Sequence, residues 1–208
     1  MAYGGREINE KGLIIGATGS IGSAARKILL AKTDVQLTLY SRRADRLKLI
    51  VDRETAVAGS VTDDDQLDQA IKGQDFVFVA LNGDMDSFAA HIISAMERNG
   101  IQRLIFITTM GIYQEIPAWL GDSPEPYHNP ILKSFRQAAD RIEQSDLNYT
   151  IIRPGWYNNG PINYEITQKG ESFGGHDVSR DSIADYVMKL ITEPALDNRA
   201  SVGINTPE

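Results

Sequence analysis

The sequence contains no cysteine among its 208 residues. Disulfide bonds, thiolate-ligated zinc, iron–sulfur clusters and a thiol nucleophile are therefore excluded. The sequence also lacks an excess of positive charge, because 21 lysines and arginines stand against 28 aspartates and glutamates and leave a formal net charge of −7. Nucleic acids and anionic membranes favour basic surfaces, so this charge balance argues against both as main partners.

Long apolar runs and metal-ligand spacings are missing as well. No run approaches the roughly 18 apolar residues of a membrane-spanning helix, and residues 1–9 are too polar for a secretory signal. His91, His128 and His176 lie far apart, so the sequence predicts no metal site. We expect a cytoplasmic protein whose residues 1–208 form one domain. No stretch is typical of a dedicated interface, so a monomer and a homodimer both stay open.

Segments typical of strands and helices alternate along the chain. Predicted strands cover residues 13–15, 35–40, 55–58, 76–81, 104–107, 149–152 and 201–204. Predicted helices cover residues 21–32, 44–51, 62–71, 86–98, 131–145 and 182–192. This alternation predicts an α/β protein with a doubly wound parallel sheet of about six or seven strands and helices on both faces. The longest loop-like stretch, residues 111–130, contains Pro117, Pro124, Pro126 and Pro130.

A glycine-rich turn joins the first predicted strand to the first predicted helix. It consists of Gly16, Ala17, Thr18, Gly19, Ser20, Ile21 and Gly22. At such a junction, Gly16 permits the tight exit from the strand, Gly19 lets the backbone approach a pyrophosphate, and Gly22 lets the helix pack closely on the sheet. Free N–H groups at the start of the helix then face the anion. The turn therefore predicts a dinucleotide site, although its spacing differs from the more common Gly-x-Gly-x-x-Gly.

The end of the second predicted strand indicates which dinucleotide binds. An NAD site usually has a carboxylate there for the ribose 2′-hydroxyl, but this chain has Ser41, Arg42 and Arg43, and Asp45 comes only later. Two guanidinium groups can hold a 2′-phosphate, and Ser41 can donate a hydrogen bond. We therefore predict a preference for NADP(H), with NAD(H) as the alternative.

These motifs and three later ones carry a resemblance to a known family. The later ones are the Gly-Gln-Asp-Phe-Val run at residues 73–77, the Ile-Thr-Thr-Met-Gly-Ile-Tyr run at 107–113, and the Tyr-Thr-Ile-Ile-Arg-Pro-Gly run at 149–155. Together they resemble the atypical short-chain dehydrogenase/reductase proteins, specifically the NmrA-like NAD(P)-binding group. The resemblance implies a Rossmann-like fold with the cofactor across the carboxyl ends of the strands. It also implies a small C-terminal substrate cap, with residues 111–130 and 154–180 on the substrate side.

The resemblance also implies roles for individual positions. The glycine-rich turn would hold the pyrophosphate, and Arg42 and Arg43 would hold the 2′-phosphate. The remaining cofactor contacts would come from residues beside adenine (Ser60, Val61), beside its ribose (Ala80, Leu81, Asn82, Gly83) and beside the nicotinamide (Thr108, Thr109, Pro154, Gly155, Trp156).

The acid/base half of a short-chain dehydrogenase is incomplete in this sequence. Such enzymes usually carry Tyr-x-x-x-Lys, but Tyr127 and Lys133 are six positions apart. By resemblance, Lys133 would face the ribose, and Tyr113 and Tyr127 are candidate proton donors in the long loop. Thr108 or Thr109 can hydrogen-bond a carbonyl substrate in place of the usual serine. Further candidates, for an apolar substrate pocket, are Trp119, Trp156 and Tyr157.

Two functions remain open from the sequence. The first is an NADP(H)-dependent reductase that transfers hydride to a small carbonyl, quinone or flavin-like acceptor, since the cofactor supplies the difficult chemistry. The second is a non-catalytic NADP(H) sensor of the NmrA type that binds a regulatory protein partner. A nucleotide-sugar epimerase is disfavoured because only residues 155–208 follow Pro154, which leaves little chain for a larger substrate domain.

Overall fold

The structure is a computed structural model that describes residues 10–121 and 125–208. The polar N-terminus at residues 1–9 and Pro124 of the long loop lie outside these ranges. Among the helices of the described residues, none has both the length and the apolar character needed to cross a bilayer.

Ten strands and five α-helices make up the regular structure of the described residues. The strands are β1 (Lys11–Ile15), β2 (Gln36–Ser41), β3 (Glu54–Ala58), β4 (Phe76–Val79), β5 (Arg103–Ile107), β6 (Asn148–Pro154), β7 (Trp156–Asn158), β8 (Glu165–Gln168), β9 (Asp177–Ser179) and β10 (Ala200–Asn205). The helices are α1 (Ser20–Lys32), α2 (Asp64–Ile71), α3 (Met85–Asn99), α4 (Pro130–Gln144) and α5 (Arg180–Thr192).

Eight strands form one sheet in the order β3-β2-β1-β4-β5-β6-β10-β8. The first seven in this order are parallel, and β8 runs antiparallel to β10 at the edge. The predicted doubly wound fold is confirmed, but the predicted strand number is too low. The prediction missed β8 because this short strand is only partly buried and has no apolar run to mark it.

Helices cover both faces of the sheet and divide the core in two. On one face, α1 and α5 pack through residues such as Leu29 and Leu190. On the other face, α2, α3 and α4 pack through residues such as Leu67, Ile92 and Ile142. The central strand β4 is buried along its whole length, as expected for a parallel strand covered on both sides.

The predicted helix over residues 44–51 is wrong. Only a short 3-10 turn, Ala44–Arg46, forms there. Arg26 donates to the carbonyl of Lys48 at 2.6 Å, and Glu54 accepts from the amide of Ile50 at 2.8 Å. These side chains satisfy backbone groups that a helix would pair internally, and residues 49–51 remain exposed.

The predicted C-terminal cap over residues 154–180 is only partly separate from the sheet. One of its strands, β8, extends the main sheet, while β7 and β9 form a parallel pair beside the end of β6. Gly155 makes this arrangement possible, since an added Cβ there would lie 2.4 Å from the carbonyl oxygen of His176. The chain after β6 therefore runs directly against the start of β9.

Candidate cofactor and substrate cleft

A cleft of about 870 Å³ follows the carboxyl ends of the parallel strands. In open α/β sheets this edge is where ligands bind, close to the point at which the strand order reverses. Here the order reverses between β1 and β4. The cleft therefore lies where the fold places a ligand, and its lining comes from the segments that follow β1, β2, β3, β4, β5 and β6, together with α4.

The glycine-rich turn forms the central wall of the cleft. Gly16 has φ +91°, and an added Cβ would lie 2.1 Å from the carbonyl oxygen of Ala80. An added Cβ on Gly22 would lie 2.3 Å from the carbonyl oxygen of Gly16. Glycine is therefore required at both positions, one for backbone conformation and one for close helix packing.

Not every residue of the turn faces the cleft. Five of the seven predicted residues line it, namely Gly16, Thr18, Gly19, Ser20 and Ile21. Ala17 is fully buried in the core behind the turn, and Gly22 packs against Gly16. These two shape the turn from behind, and their predicted contact with the cofactor stays a prediction.

The start of α1 supplies an anion-binding feature. Gly19 is the N-cap residue of this helix and has no side chain to cap it. The first turn contains no acidic residue that would compete with an anion. Because the first N–H groups of a helix have no partner within it, they present partial positive charge to the cleft.

Two arginines face the cleft at the end of β2. Arg42 and Arg43 line it beside Ser41, whose hydroxyl is 3.2 Å from that of Thr18. Both arginines are exposed, and neither forms an ion pair with a carboxylate of the described residues. Five of the ten other arginines in the described residues, such as Arg26 with Glu54, do form one. This pair of guanidinium groups is therefore free to bind an anion.

The segments after β3 and β4 complete this half of the cleft. Ser60 and Val61 line it on one side, as do Ala80, Leu81, Asn82 and Gly83 on the other. The sequence did not single out Tyr40, Gly59 or Phe88, which also line it. The hydroxyl of Tyr40 donates to the carbonyl of Ser60 at 2.8 Å and thereby ties β2 to the segment after β3.

The other half of the cleft is built after β5 and β6. Thr108 is buried, and its hydroxyl donates to the carbonyl of Ile152 at 3.1 Å. Thr109 is half-buried, lines the cleft, and forms no side-chain hydrogen bond with the described residues. Of the two threonines, Thr109 therefore has the hydroxyl that is free to bind a substrate. Pro154, Gly155 and Trp156 line the same end, as the resemblance implied.

Lys133, predicted to contact the cofactor, lies outside the lining of the cleft. On α4, Ile131 and Phe135 line the cleft, and they are four residues apart on one face of the helix. Lys133 lies midway between them, about 200° around the helix axis from each, since successive residues are about 100° apart. It is exposed and does not line the cleft.

Tyr113, a candidate proton donor, likewise lies outside the lining of the cleft. Its hydroxyl donates to Glu143 at 2.8 Å, and the charged groups of Arg136, Arg153 and Lys169 lie 4.8, 5.1 and 4.3 Å from its ring centroid. Burial raises the pKa of Tyr113 well above its usual value. These contacts of Tyr113 tie the loop after β5 to α4 through Glu143. Tyr127 likewise lies outside the cleft, with its hydroxyl bound to Asp140.

A buried ion pair that the sequence analysis missed fixes this loop. The Nε of Arg153 donates to Oε1 of Glu115 at 3.0 Å, and the two side chains are 0% and 2% exposed. The same carboxylate accepts the amides of Gly111 and Tyr113 at 3.2 and 2.8 Å. Glu115 therefore positions the segment that follows Thr109. This role could not be predicted from the sequence, because its partner Arg153 lies far away in the chain.

Three aromatic residues were candidates for a substrate pocket. Trp156 and Tyr157 line the cleft at its β6 end, where the Trp156 ring stacks on His176 with centroids 6.0 Å apart. Trp119 is 60% exposed and lies outside the lining. Trp156 and Tyr157 are 64% and 40% exposed, and together with Met110, Ile131 and Phe135 they contribute apolar lining to the cleft.

The fold and the cleft together define a Rossmann-like dinucleotide-binding protein. The glycine turn, the uncapped helix and the two arginines fit a nucleotide that carries phosphates, because they offer N–H groups and cations at one edge. Residues 16–194 match the NAD(P)H-binding family, and the chain belongs to this family. The chain thus belongs to a family of NAD(P)-binding oxidoreductases, and the resemblance noted in the sequence is confirmed.

Several known proteins are similar over nearly their whole length. A Rossmann-fold NAD(P)-binding family protein from Shigella flexneri is 35% identical, covers 95% of this chain and 94% of its own, and has a TM-score of 0.83. A wide-type short-chain dehydrogenase/reductase from Veillonella parvula DSM 2008, solved in complex with NADP, is 30% identical, with 96% of each chain covered and a TM-score of 0.85.

One curated relative carries a different name. The uncharacterized sugar epimerase YhfK from Bacillus subtilis (strain 168) is 28% identical, and the match covers 91% of this chain and 92% of that protein. This chain therefore spans that relative almost completely. The short C-terminal part of this chain therefore does not by itself argue against a sugar epimerase.

Proposed function

We propose that the chain is an NADP(H)-dependent reductase that transfers hydride to a small carbonyl, quinone or flavin-like acceptor. The observation that carries the cofactor preference is the pair Arg42 and Arg43, which face the cleft without a carboxylate partner among the described residues. An unpaired guanidinium pair at the end of β2 suits a 2′-phosphate. The NADP bound to the Veillonella parvula relative supports the same preference.

The two halves of the cleft would have different roles. The start of α1 and the glycine turn would hold the pyrophosphate, and Ser60 and Val61 would lie beside adenine. Bound NADPH supplies a hydride from its nicotinamide ring. At the β5 and β6 end, Thr109 would bind the oxygen of the acceptor, while Trp156 and its apolar neighbours would contact the apolar part of the acceptor.

The cofactor preference is tested by substituting Arg42 with alanine. We expect NADPH to stabilise the parent protein more than NADH does, and we expect this difference to collapse in Arg42→Ala. A charge-assisted hydrogen bond contributes about 1.5–3 kcal/mol, and at an exposed site the lower end corresponds to about a tenfold loss of NADPH affinity. Thermal-shift titrations with both cofactors measure the effect, since the shift reports binding to the folded state.

Arg46→Ala is the matched control for this variant. Arg46 lies close to Arg42 in the chain, is exposed, and does not line the cleft. Its loss changes the net charge equally, so a general electrostatic effect would weaken NADPH binding in both variants. Equal stabilisation of the parent by NADPH and NADH would overturn the proposed preference.

The reductase activity is tested by following NADPH oxidation with a panel of quinones, flavins and aldehydes. Steady turnover with at least one class supports the proposal. Tight NADPH binding without turnover on any of them would favour the non-catalytic sensor instead. In that case, a regulatory protein captured only when NADP(H) is present would be the expected partner.

A further inference from the structure

The tyrosine hydroxyls of the described residues fall into two groups. Five of them donate hydrogen bonds to fixed acceptors, and these belong to Tyr40, Tyr113, Tyr127, Tyr164 and Tyr186. The hydroxyls of Tyr149 and Tyr157 have no hydrogen-bond partner in the described part of the chain. Tyr149 lies at the amino end of β6, at the opposite edge of the sheet from the cleft. Tyr157 lines the cleft itself and is 40% exposed.

The backbone of Tyr157 is held firmly beside the substrate end of the cleft. Tyr157 is the middle residue of β7 and pairs with the fully buried Val178 of β9. The amide of the preceding residue, Trp156, donates to the carbonyl of His176 at 2.8 Å. A side chain on such a paired strand is presented more reproducibly than one on a free loop.

A fixed cation lies next to the Tyr157 ring. The guanidinium carbon of Arg180 is 5.6 Å from the ring centroid. Its Nη1 donates to the carbonyl of Asn158 at 3.0 Å and to Oδ1 of Asn159 at 2.8 Å. A cation within about 6 Å of an aromatic ring interacts favourably with it, and it would stabilise a phenolate at this position.

We propose that Tyr157 is the proton donor for the reduction of carbonyl substrates in this cleft, an inference that rests on the proposed reductase function. It takes the place of the missing Tyr-x-x-x-Lys tyrosine, but from the strand after β6 rather than from α4. Thr109, on the neighbouring strand end, shares the lining of the same cleft and binds the carbonyl oxygen.

The step balances without any further reactant. The carbonyl carbon accepts a hydride from NADPH, which is oxidised to NADP⁺, and the C=O bond becomes a C–O single bond. The Tyr157 hydroxyl gives its proton to the carbonyl oxygen, so the substrate leaves as an alcohol. The phenolate that remains beside Arg180 takes a proton from solvent, which restores the hydroxyl.

The hydroxyl is in the form that this step needs. Although 40% of the Tyr157 surface is exposed, the surroundings of its hydroxyl raise the pKa of Tyr157, and the nearby guanidinium of Arg180 opposes part of this rise. Tyr157 is therefore protonated throughout the neutral range. An alkoxide is a stronger base than such a phenolate, so the transfer runs downhill once the hydride has arrived.

Tyr157→Phe tests the inference kinetically. We expect kcat for aldehyde reduction to fall by about 10²–10⁴-fold, the usual contribution of a general acid. Quinone reduction should change little, because the hydroquinone anion formed by hydride addition is weakly basic and needs no acid. NADPH affinity should also be unchanged. If Tyr157 only packed against the substrate, Tyr157→Phe would lower aldehyde and quinone reduction together.

Tyr149→Phe is the matched control. It removes a hydroxyl that likewise has no partner among the described residues, at the edge of the sheet remote from the cleft. It should leave both activities at the level of the parent. Neither hydroxyl contributes a hydrogen bond to the described fold, so both variants should unfold at the temperature of the parent.

A spectroscopic measurement tests the same hydroxyl without turnover. 4-Dimethylaminocinnamaldehyde absorbs at longer wavelength when a donor polarises its carbonyl, and it cannot be reduced when the cofactor is NADP⁺. The parent protein with NADP⁺ should shift its absorption to the red, Tyr149→Phe should keep this shift, and Tyr157→Phe should lose most of it.

The two measurements separate this inference from the proposed function. A parent that turns over aldehydes, with Tyr157→Phe retaining both the rate and the red shift, overturns the role of Tyr157 and leaves the reductase standing. A parent without turnover on any acceptor contradicts the reductase. The spectral shift then decides only whether the Tyr157 hydroxyl donates to a bound carbonyl oxygen, since its loss in Tyr157→Phe supports that contact and its persistence overturns it.

Discussion

Replacing Glu115 by alanine is expected to lower the free energy of unfolding by about 3–5 kcal/mol. The variant leaves the guanidinium of Arg153, which is 0% exposed, without its carboxylate. It also removes the acceptor of the Gly111 and Tyr113 amides. A buried charge without a partner is costly because water cannot solvate it. Urea unfolding measures the loss, and thermal unfolding should show a fall of about 2–4 °C for each kcal/mol.

An exposed ion pair provides the comparison. Arg141 bonds Asp86 at 2.8 Å, but both side chains remain partly in water, so Arg141→Ala should cost less than about 1 kcal/mol. Equal losses of unfolding free energy in Glu115→Ala and Arg141→Ala would show that burial does not raise the contribution of the Glu115–Arg153 pair to stability. If Glu115→Ala retains measurable folding, its aldehyde kinetics should also suffer, because the segment after Thr109 loses its anchor.

Gly16→Ala is expected to lower NADPH affinity by about a hundredfold or more. Alanine would have to adopt φ +91°, and its Cβ would lie 2.1 Å from the carbonyl oxygen of Ala80, which belongs to the backbone and cannot rotate away. Backbone strain of this kind costs about 1–3 kcal/mol, and relief of the clash must displace the turn at the start of α1. A displacement worth about 2.7 kcal/mol in binding corresponds to a hundredfold change in affinity. Fluorescence titration with NADPH measures it.

Gly73→Ala separates the two causes of this effect. Gly73 also has positive φ, +75°, but an added Cβ there would meet no atom within 4 Å. This variant should lose about 1–2 kcal/mol of stability from the left-handed backbone alone and should bind NADPH as the parent does. A comparable loss of affinity in Gly73→Ala would mean that lowered stability, rather than the shape of the turn, weakens binding.

The fold could be predicted from the sequence wherever a pattern is local and repeated. The apolar runs that became β4 and β5 and the periodic stretches that became α1 and α3 lie close to their predicted bounds. The predictions failed where contacts between residues distant in the chain decide the local structure. β8 was missed because its neighbour β10, distant in the chain, supplies the pairing, and residues 44–51 fail as a helix because Arg26 and Glu54 satisfy their backbone.

The cofactor half of the candidate site was also accessible from the sequence. Gly16, Gly19, Arg42 and Arg43 follow directly after strands, and the carboxyl ends of parallel strands always meet at one edge. Their joint placement therefore follows from the order of the elements alone. The sequence determined the fold class, the family and the half of the cleft that suits a phosphate.

The proposed acid/base half depends on contacts that only the tertiary structure provides. The family resemblance implied a ribose contact for Lys133, and Tyr113 was a candidate proton donor in the long loop. Neither residue lines the cleft, and the Tyr113 hydroxyl donates to Glu143. Tyr157 gained its position because β7 pairs with β9 and brings Arg180 against its ring. Which hydroxyl is free depends on contacts between residues far apart in the chain, and no spacing within the sequence records them.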